Sequence, residues 1–290
     1  MKKLLFMLGI MAGWVWTGAA QVTVEVVLDQ QQYLPSESLP VAVKITNRSG
    51  QTIHLGEDPL WLTFSVESED GFVVIKNGDA PVVEPFDLES GQMATKRVDL
   101  EPWFTLNKAG RYHVVATLRI KDWSAEEASA PSFFDVINGV TIWSQEIGLP
   151  VPPGAASNVP EVRLYSLVKA NYLKSQLRLY AEVSDPGDAR IYKVVNVGPL
   201  VSFSQPEAQV DRTGNLQVLY QSGGTLFSYT VLNPNGEFVS REIFDYVNSR
   251  PRLSVNTNGD LTVIGGVRRL KPTEMPRVKM PNEVFEPARQ

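Results

Sequence analysis

The 290-residue chain has no cysteine. That excludes disulfides, thiolate-bound zinc, a cysteine nucleophile and the acylated cysteine of a bacterial lipoprotein. It has two histidines, His54 and His113, and neither stands in a zinc spacing such as H-E-x-x-H. No G-x-S-x-G is present to place a serine nucleophile. Basic charge is not in excess: 27 Lys and Arg face 32 Asp and Glu, a formal charge of −5. That argues against nucleic acid and gives no support to an anionic lipid surface. Beyond Trp16 no apolar run approaches the roughly 20 residues needed to span a bilayer.

What the chain does have begins with a leader. Lys2 and Lys3 precede an apolar run from Leu4 to Trp16, and "TGAA" follows. A charged start, an apolar middle and small residues at the end make a secretory signal peptide. Gly18 and Ala20 occupy the positions a signal peptidase reads, so the expected cut follows Ala20. The 13-residue run is too short for a retained anchor. Without the two leader lysines, 25 basic side chains face 32 acidic ones, a balance of −7. Export without cysteine fits a bacterial envelope or secreted protein. The 270 residues after the cut suffice for two ordinary cores.

From Gln21 to about Leu149 the apolar period is two. Val22, Val24, Val26 and Leu28 alternate with outward residues, as do Val41, Val43 and Ile45, then Leu62, Phe64 and Val66. Tyr112, Val114, Ala116, Leu118 and Ile120 repeat the pattern. Alternation of this kind marks half-buried strands. "LPSES" at 34–38, "NRSG" at 47–50, "SEDG" at 68–71 and "LESG" at 88–91 separate the runs as turns. Short strands with frequent turns and no amphipathic helix predict two packed antiparallel sheets.

"LPVPPGAASNVP", residues 149–160, holds four prolines and no charge, and reads as a semi-rigid linker. Beyond it a repeat appears. "SQPEAQVDRTGNLQVLYQ" at 204–221 returns 45 residues later as "SRPRLSVNTNGDLTVIGG" at 249–266. Six positions are identical: Ser204/Ser249, Pro206/Pro251, Val210/Val255, Gly214/Gly259, Leu216/Leu261 and Val218/Val263. "DRTGN" and "NTNGD" read as hairpin loops whose glycine takes positive φ, with Leu-x-Val opening the next strand. A second pair, "LYAEVSDPGD" at 179–188 and "FSYTVLNPNGE" at 227–237, supplies another hairpin per unit. About four strands in roughly 45 residues is the period of a propeller blade. A fainter copy starts at Pro160-Glu161. Two clear units and one weak one are too few for a closed propeller. Three arrangements are open: a fragment whose edges pair with another chain, a small sheet stack packed against the first domain, or duplicated hairpins in an ordinary sandwich; the second is favoured, because exposed strand edges invite aggregation. The tail, 267–290, is Pro-rich and basic and reads as a solvated terminus, with a docking strap as the functional alternative.

Two resemblances follow from these motifs. "AGRYHVVATL" at 109–118, with Gly110 two before Tyr112, resembles the G-x-Y-x-V strand of immunoglobulin-like sandwiches. "SLPVAVKITNRSGQTIHL" at 38–55 resembles the second strand and turn of secreted bacterial Ig-like or macroglobulin-like modules. The resemblance implies a tyrosine corner at Tyr112 and a module that binds, spaces or presents. No Cys…Trp…Cys core is present, so an antibody-type domain is excluded. Residues 160–266 resemble the blade repeats of bacterial β-propellers. The expected organisation is therefore all-β: signal peptide 1–20, Ig-like antiparallel β-sandwich 21–148, linker 149–160, blade-repeat domain 161–266 and tail 267–290.

The sequence shows no assembled catalytic set. Both histidines read as strand or surface residues. "NTNGD" offers Asn256, Asn258 and Asp260 to calcium, but its glycine is fourth where the helical calcium loop has it sixth, and Val267 stands where a glutamate would close the ring. Glu57-Asp58, Glu67/Glu69-Asp70 and Glu126-Glu127 read as solvated loop acids, although a glycosidase would need two such acids across a cleft. Trp61, Trp103, Trp123 and Trp143 read as core or sheet caps, with sugar stacking as the alternative. "NRS" at 47–49 is a glycosylation acceptor in form only.

The reading assigns no catalytic, cofactor-binding or metal-ligating residue and no cofactor. It expects a non-enzymatic exported protein, periplasmic or extracellular, that binds or scaffolds through a protein or glycan partner. It expects no nucleic acid and no membrane span after signal cleavage. The alternatives are a carbohydrate-active hydrolase using loop carboxylates, and an inhibitor or partner subunit of a secreted protease.

Overall fold

The computed structural model describes residues 21–151, 160–187 and 190–270. The leader, most of the 149–160 segment and all but the first residues of the tail lie outside the described residues. The described chain is nearly all β, 56% strand and 2% helix, and none of its sheets closes into a barrel or propeller. Contacts divide it into two units. One holds the chain through Gln31, Leu39–Thr105 and Arg111–Phe134, and the other holds Gln32–Ser38, Leu106–Gly110 and the chain from Asp135 onward.

In the first unit β1 (Val22–Leu28) and β8 (Met93–Asp99) flank β3 (Pro40–Asn47), all antiparallel. A second sheet is built on β10 (Gly110–Ile120), which pairs with β5 (Leu62–Ser68) and β11 (Ala125–Ala128) and has β12 (Ser132–Val136) beside it; the last residues of β12, Asp135 and Val136, pair in parallel with β2 (Gln32–Tyr33) in the second unit. Short pairs join β4 (Ile53–Leu55) to β7 (Phe86–Leu88) and β6 (Ile75–Lys76) to β9 (Phe104–Thr105). The period-two pattern decides which face is buried. Tyr112, Val114, Ala116, Leu118 and Ile120 are buried on β10, and Val41, Val43 and Ile45 on β3. Each valine, leucine or isoleucine among them contributes roughly 1.5–3 kcal/mol on removal from water. Tyr112 lies stacked on Phe134, ring centres 5.7 Å apart. The turn at 47–50 hangs on a buried side chain: Asn47 Nδ2 donates to the carbonyls of Gln51 and Leu88, and its Oδ1 accepts the Ser49 amide.

The second unit is a stack of sheets. β13 (Val140–Gly148), β14 (Val162–Tyr172), β15 (Gln176–Ser184) and β16 (Ile191–Pro199) form a four-stranded antiparallel sheet. β17 (Glu207–Val210), β18 (Leu216–Gln221), β19 (Leu226–Leu232) and β20 (Phe238–Asp245) form the next, with β23 (Val267–Arg268) added beyond β20. β21 (Arg252–Val255) and β22 (Leu261–Ile264) form a two-stranded third. Tyr165, Leu167, Leu179, Ala181 and Val183 of the first sheet share a core with Val210, Leu216, Val218, Tyr220 and Leu232 of the second. On the second sheet's other face Leu219, Phe227 and Phe244 hold Leu253 and Val263 of the third.

The repeated turns adopt one geometry. In the first, the Asp211 amide donates to the Asn215 carbonyl, the Gly214 amide to the Asp211 carbonyl, and the amides of Thr213 and Asn215 to the Asp211 carboxylate. Asn256 repeats the set with Asp260, Gly259 and Asn258, and Asn233 with Glu237, Gly236 and Asn235. A short Asp or Asn that accepts its own loop's amides, with a glycine at positive φ, closes such a hairpin locally.

Two boundaries differ from the sequence reading. The faint copy at Pro160-Glu161 is out of phase, because Pro206-Glu207 opens the first strand of its sheet whereas Pro160-Glu161 opens the second. The first strand, β13, comes from before the Pro-rich segment and pairs with β14 from Gly148/Val162 to Val140/Lys169. Residues 149–160 therefore connect two neighbours within one sheet, where a linker between domains was expected. "LPSES" is a turn, as expected, but not a solvated one. Leu34 is buried with Val168, Ala170, Tyr180 and Val194 of the first sheet, and Glu37 bridges to Val194.

Candidate functional site

A backbone irregularity builds the most distinctive site. The β13–β14 register shifts between Thr141 and Trp143, so Ile142 is an extra residue on its strand. In a regular strand Ile142 and Trp143 would point to opposite faces; a bulge re-aims one of them. Both line a cavity of about 490 Å³ within the second unit, together with Lys169 of β14, Leu177 of β15, and Phe203 and Ser204 of the loop before β17. That loop is fixed by backbone bonds: the Leu200 amide to the Leu177 carbonyl, Val201 to Gln221 and Ser204 to Val201. Phe203 is 82% exposed at the rim.

The polar groups of this cavity have spare capacity. The Ser204 hydroxyl is buried without a hydrogen-bond partner among the described residues. The Lys169 ammonium makes no ion pair among them, and neither a carboxylate nor a histidine lines the wall. Apolar walls, two aromatic rings, one cation and hydroxyls suit an amphipathic ligand with an apolar or aromatic body and an anionic or hydrogen-bonding end.

A second cleft, about 450 Å³, lies in the first unit between Gln21, Ser49, Gln51, Trp123 and Glu127. Trp123 stands there at the end of a 3-10 turn, Lys121–Trp123, which Ser124 terminates in the left-handed region. Glu127 is the one carboxylate among the residues lining this cleft.

The other residues singled out from sequence are placed as follows. His54 Nδ1 is 2.6 Å from Asp87 Oδ1, and that hydrogen bond and charge hold its pKa above the ordinary value. His113 lies 2.6 Å from Glu69. Trp61 is buried and its indole N–H donates to the Val82 carbonyl at 2.6 Å. Trp103 sits in the 3-10 turn Glu101–Trp103, its ring beside Gly78. Glu126 pairs with Arg119, Glu57 lies 4.0 Å from Lys121, and Asp58 accepts the Leu60 amide. In "NTNGD" the Asn256 side-chain oxygen is taken up by its own loop amides, and no group of three His, Asp or Glu gathers for a metal among the described residues. Asn47 of "NRS" is fully buried, which leaves its side chain no room for a glycan. The sequence reading missed Lys169, Phe203 and Ser204. The available signal was "SFSQP", an aromatic between serines just ahead of a proline.

No protein-family model matches the chain, and no curated protein matches it. Among solved structures, the crystal structure of Spo0M, a sporulation control protein from Bacillus subtilis, is similar at 10% identity. That match covers 62% of this chain and 90% of the other, with a TM-score of 0.32. A likeness at that score transfers neither fold nor function. Among the described residues no helix is long and apolar enough to cross a membrane.

Proposed function

We propose that this is an exported, non-enzymatic binding protein of the bacterial envelope or exterior, in which an Ig-like module precedes a short run of propeller-type blades. The observation that carries the reading is the cavity lined by Ile142 and Trp143 at the β13 bulge. The buried Ser204 hydroxyl left without a partner is costly to keep unless something bonds to it, and the exposed Lys169 ammonium and the two aromatic rings beside the strand irregularity are placed to meet that occupant. The wall offers recognition and no acid–base pair. The hydrolase alternative asks for two carboxylates across a cleft, and the cleft at Trp123 has one on its wall.

The test is a binding screen of the processed protein against amphipathic carboxylates, aromatic-ended peptides and a glycan array. Saturable binding of an apolar anion or peptide, lost in Trp143→Ala and weakened at least tenfold in Lys169→Gln, is expected. Turnover of any bound compound, or a glycan hit that Trp123→Ala abolishes and Trp143→Ala does not, contradicts the reading. Recovery of a mature protein beginning at Gln21 from the periplasm or medium checks the export half.

A further inference from the structure

The cavity at Trp143 is the open end of the core between the first two sheets of the second unit. Tyr165 and Leu167 of β14 point into that core, and Lys169, two residues further, continues the same face beyond it. Leu177 precedes Leu179 in the same way on β15, and Trp143, paired with Leu167, packs against the core from β13. The loop residues Ser202 to Pro206 form the facing wall. Lys169 is the one charged side chain lining the cavity. The Ser204 hydroxyl, on a residue 9% exposed, is buried without a partner among the described residues.

One wall of this cavity is also the edge of a sheet. β13 has β14 on one side and no described strand on the other, and seven of its nine residues are exposed. The backbone phase fixes which groups face out. The Leu149 amide donates to the Glu161 carbonyl, so the opposed pairs Ile147/Arg163, Gln145/Tyr165 and Trp143/Leu167 are the hydrogen-bonded ones. The N–H and C=O groups of Ser144, Glu146 and Gly148 therefore point away from β14. The bulge ends at Trp143, and no register shift interrupts the run to Gly148. β22 has an outward phase of the same kind at Leu261 and Val263, because Leu253, opposite Val263, gives its amide to the Glu207 carboxylate. That edge borders neither of the two clefts described above, whereas the β13 edge runs into one of them.

Resting on the binding role proposed above and narrowing its ligand, we infer that the cavity receives the C-terminus of an extended peptide laid along β13. The last side chain of the peptide, an apolar one, sits between Trp143, Leu177 and Phe203. Its carboxylate accepts from the Lys169 ammonium and the Ser204 hydroxyl, which ends the isolation of that buried hydroxyl. The preceding residues bond the outward groups of Ser144, Glu146 and Gly148. With the carboxylate at the Lys169 end and the body toward Gly148, the peptide runs opposite to β13, the sense of every pairing in that sheet. The edge separates a peptide from an acyl chain or an aryl acid. It supplies donors and acceptors in alternation, which a chain of amides matches and the other two leave unmet.

Fluorescence anisotropy of the processed chain tests this with labelled octapeptides of alternating Thr and Val that end in Phe, Leu or Trp. The free acid is expected to bind saturably, and its C-terminal amide to bind about tenfold more weakly, the loss of a hydrogen bond to a charged group. In Lys169→Gln that acid–amide difference should shrink to roughly threefold. N-methylation along the peptide should cost about tenfold at residues whose amides face β13 and little at their neighbours, a period of two. The amide and N-methyl readouts change the peptide and leave the protein as it is, so they do not depend on how a variant folds. Phenylbutyrate is the control. If it binds as tightly as the best peptide, or if N-methylation costs the same at every position, the cavity reading stands and the peptide inference falls. Binding by neither overturns both, and peptide binding indifferent to amidation overturns the placement of the carboxylate at Lys169.

Discussion

The hairpins β17–β18 and β21–β22 carry the same turn and the same Leu-x-Val, yet they live in different surroundings. Leu216 and Val218 are fully buried, whereas Leu261 and Val263 are half-buried and Val255 is 53% exposed. All six residues of β18 are buried, including Gln217, whose amide donates to Asp211 and accepts the Tyr229 hydroxyl. The turn is a local device and forms wherever Asp or Asn and glycine stand at those positions. Burial is supplied by neighbours. β18 has a strand on each edge and a sheet on each face, and β22 has one of each. Identical patterning therefore specifies the same hairpin at very different stability.

The largest expected contrast is in the cores. Leu216→Ala should cost about 3 kcal/mol, the range for a buried leucine that leaves a cavity. Leu261→Ala should cost under about 1 kcal/mol, since water already reaches it. Equal costs in urea unfolding would remove the distinction between the two copies.

A smaller contrast concerns a clamp. The Tyr165 hydroxyl donates to the Gly214 carbonyl at 2.6 Å, tying the first sheet to the second sheet's turn, and no tyrosine reaches the Gly259 carbonyl among the described residues. Burial pushes the Tyr165 phenol up to about 12, with the Arg163 charge opposing and Asp211 adding slightly. The folded state thus favours the neutral phenol. Its contribution is whole below pH 10, the ordinary value, and is lost as pH rises toward 12, by on the order of 2 kcal/mol. Tyr165→Phe should lower stability by about 1 kcal/mol at pH 7 and flatten that alkaline loss. An unchanged slope between pH 10 and 12 would show that Tyr165 is not the group responsible.

The smallest contrast is at the turn glycines. Both take positive φ, +85° at Gly214 and +81° at Gly259. A Cβ on Gly214 would stand 2.7 Å from the Leu149 side chain and 3.3 Å from Pro234, whereas one on Gly259 would meet the mobile guanidinium of Arg212. Alanine should therefore cost roughly 1 kcal/mol at Gly259 and about 1 kcal/mol more at Gly214. The difference is read by thermal unfolding of the two single variants, and a reversed order would break the neighbour argument.

How much of this was legible follows from range. Strands at Val22–Leu28, Val41–Ile45, Leu62–Val66 and Tyr112–Ile120 were readable because burial on one face imposes a period of two on neighbouring residues. The turns "DRTGN" and "NTNGD" were readable because their bonds close within five residues. β13 was misplaced because its partner lies beyond a proline-rich segment, and nothing local records which strand lies across an edge. The site was unreadable for the same reason. Trp143, Lys169, Leu177 and Phe203 come from different strands and a loop, and the bulge at Ile142 exists only as a mismatch between two strands' registers.

The central claim is that β22 is a copy of β18 deprived of its outer partner. Residue-resolved amide exchange on the dilute processed protein tests it most directly. The account predicts that Leu216 and Val218 exchange only on global unfolding, while the Leu261 and Val263 amides exchange within the time of mixing and Thr262 and Ile264, bonded toward β21, more slowly. Strong protection of Leu261 and Val263 under those dilute conditions, equal to that of Leu216 and Val218, would contradict it.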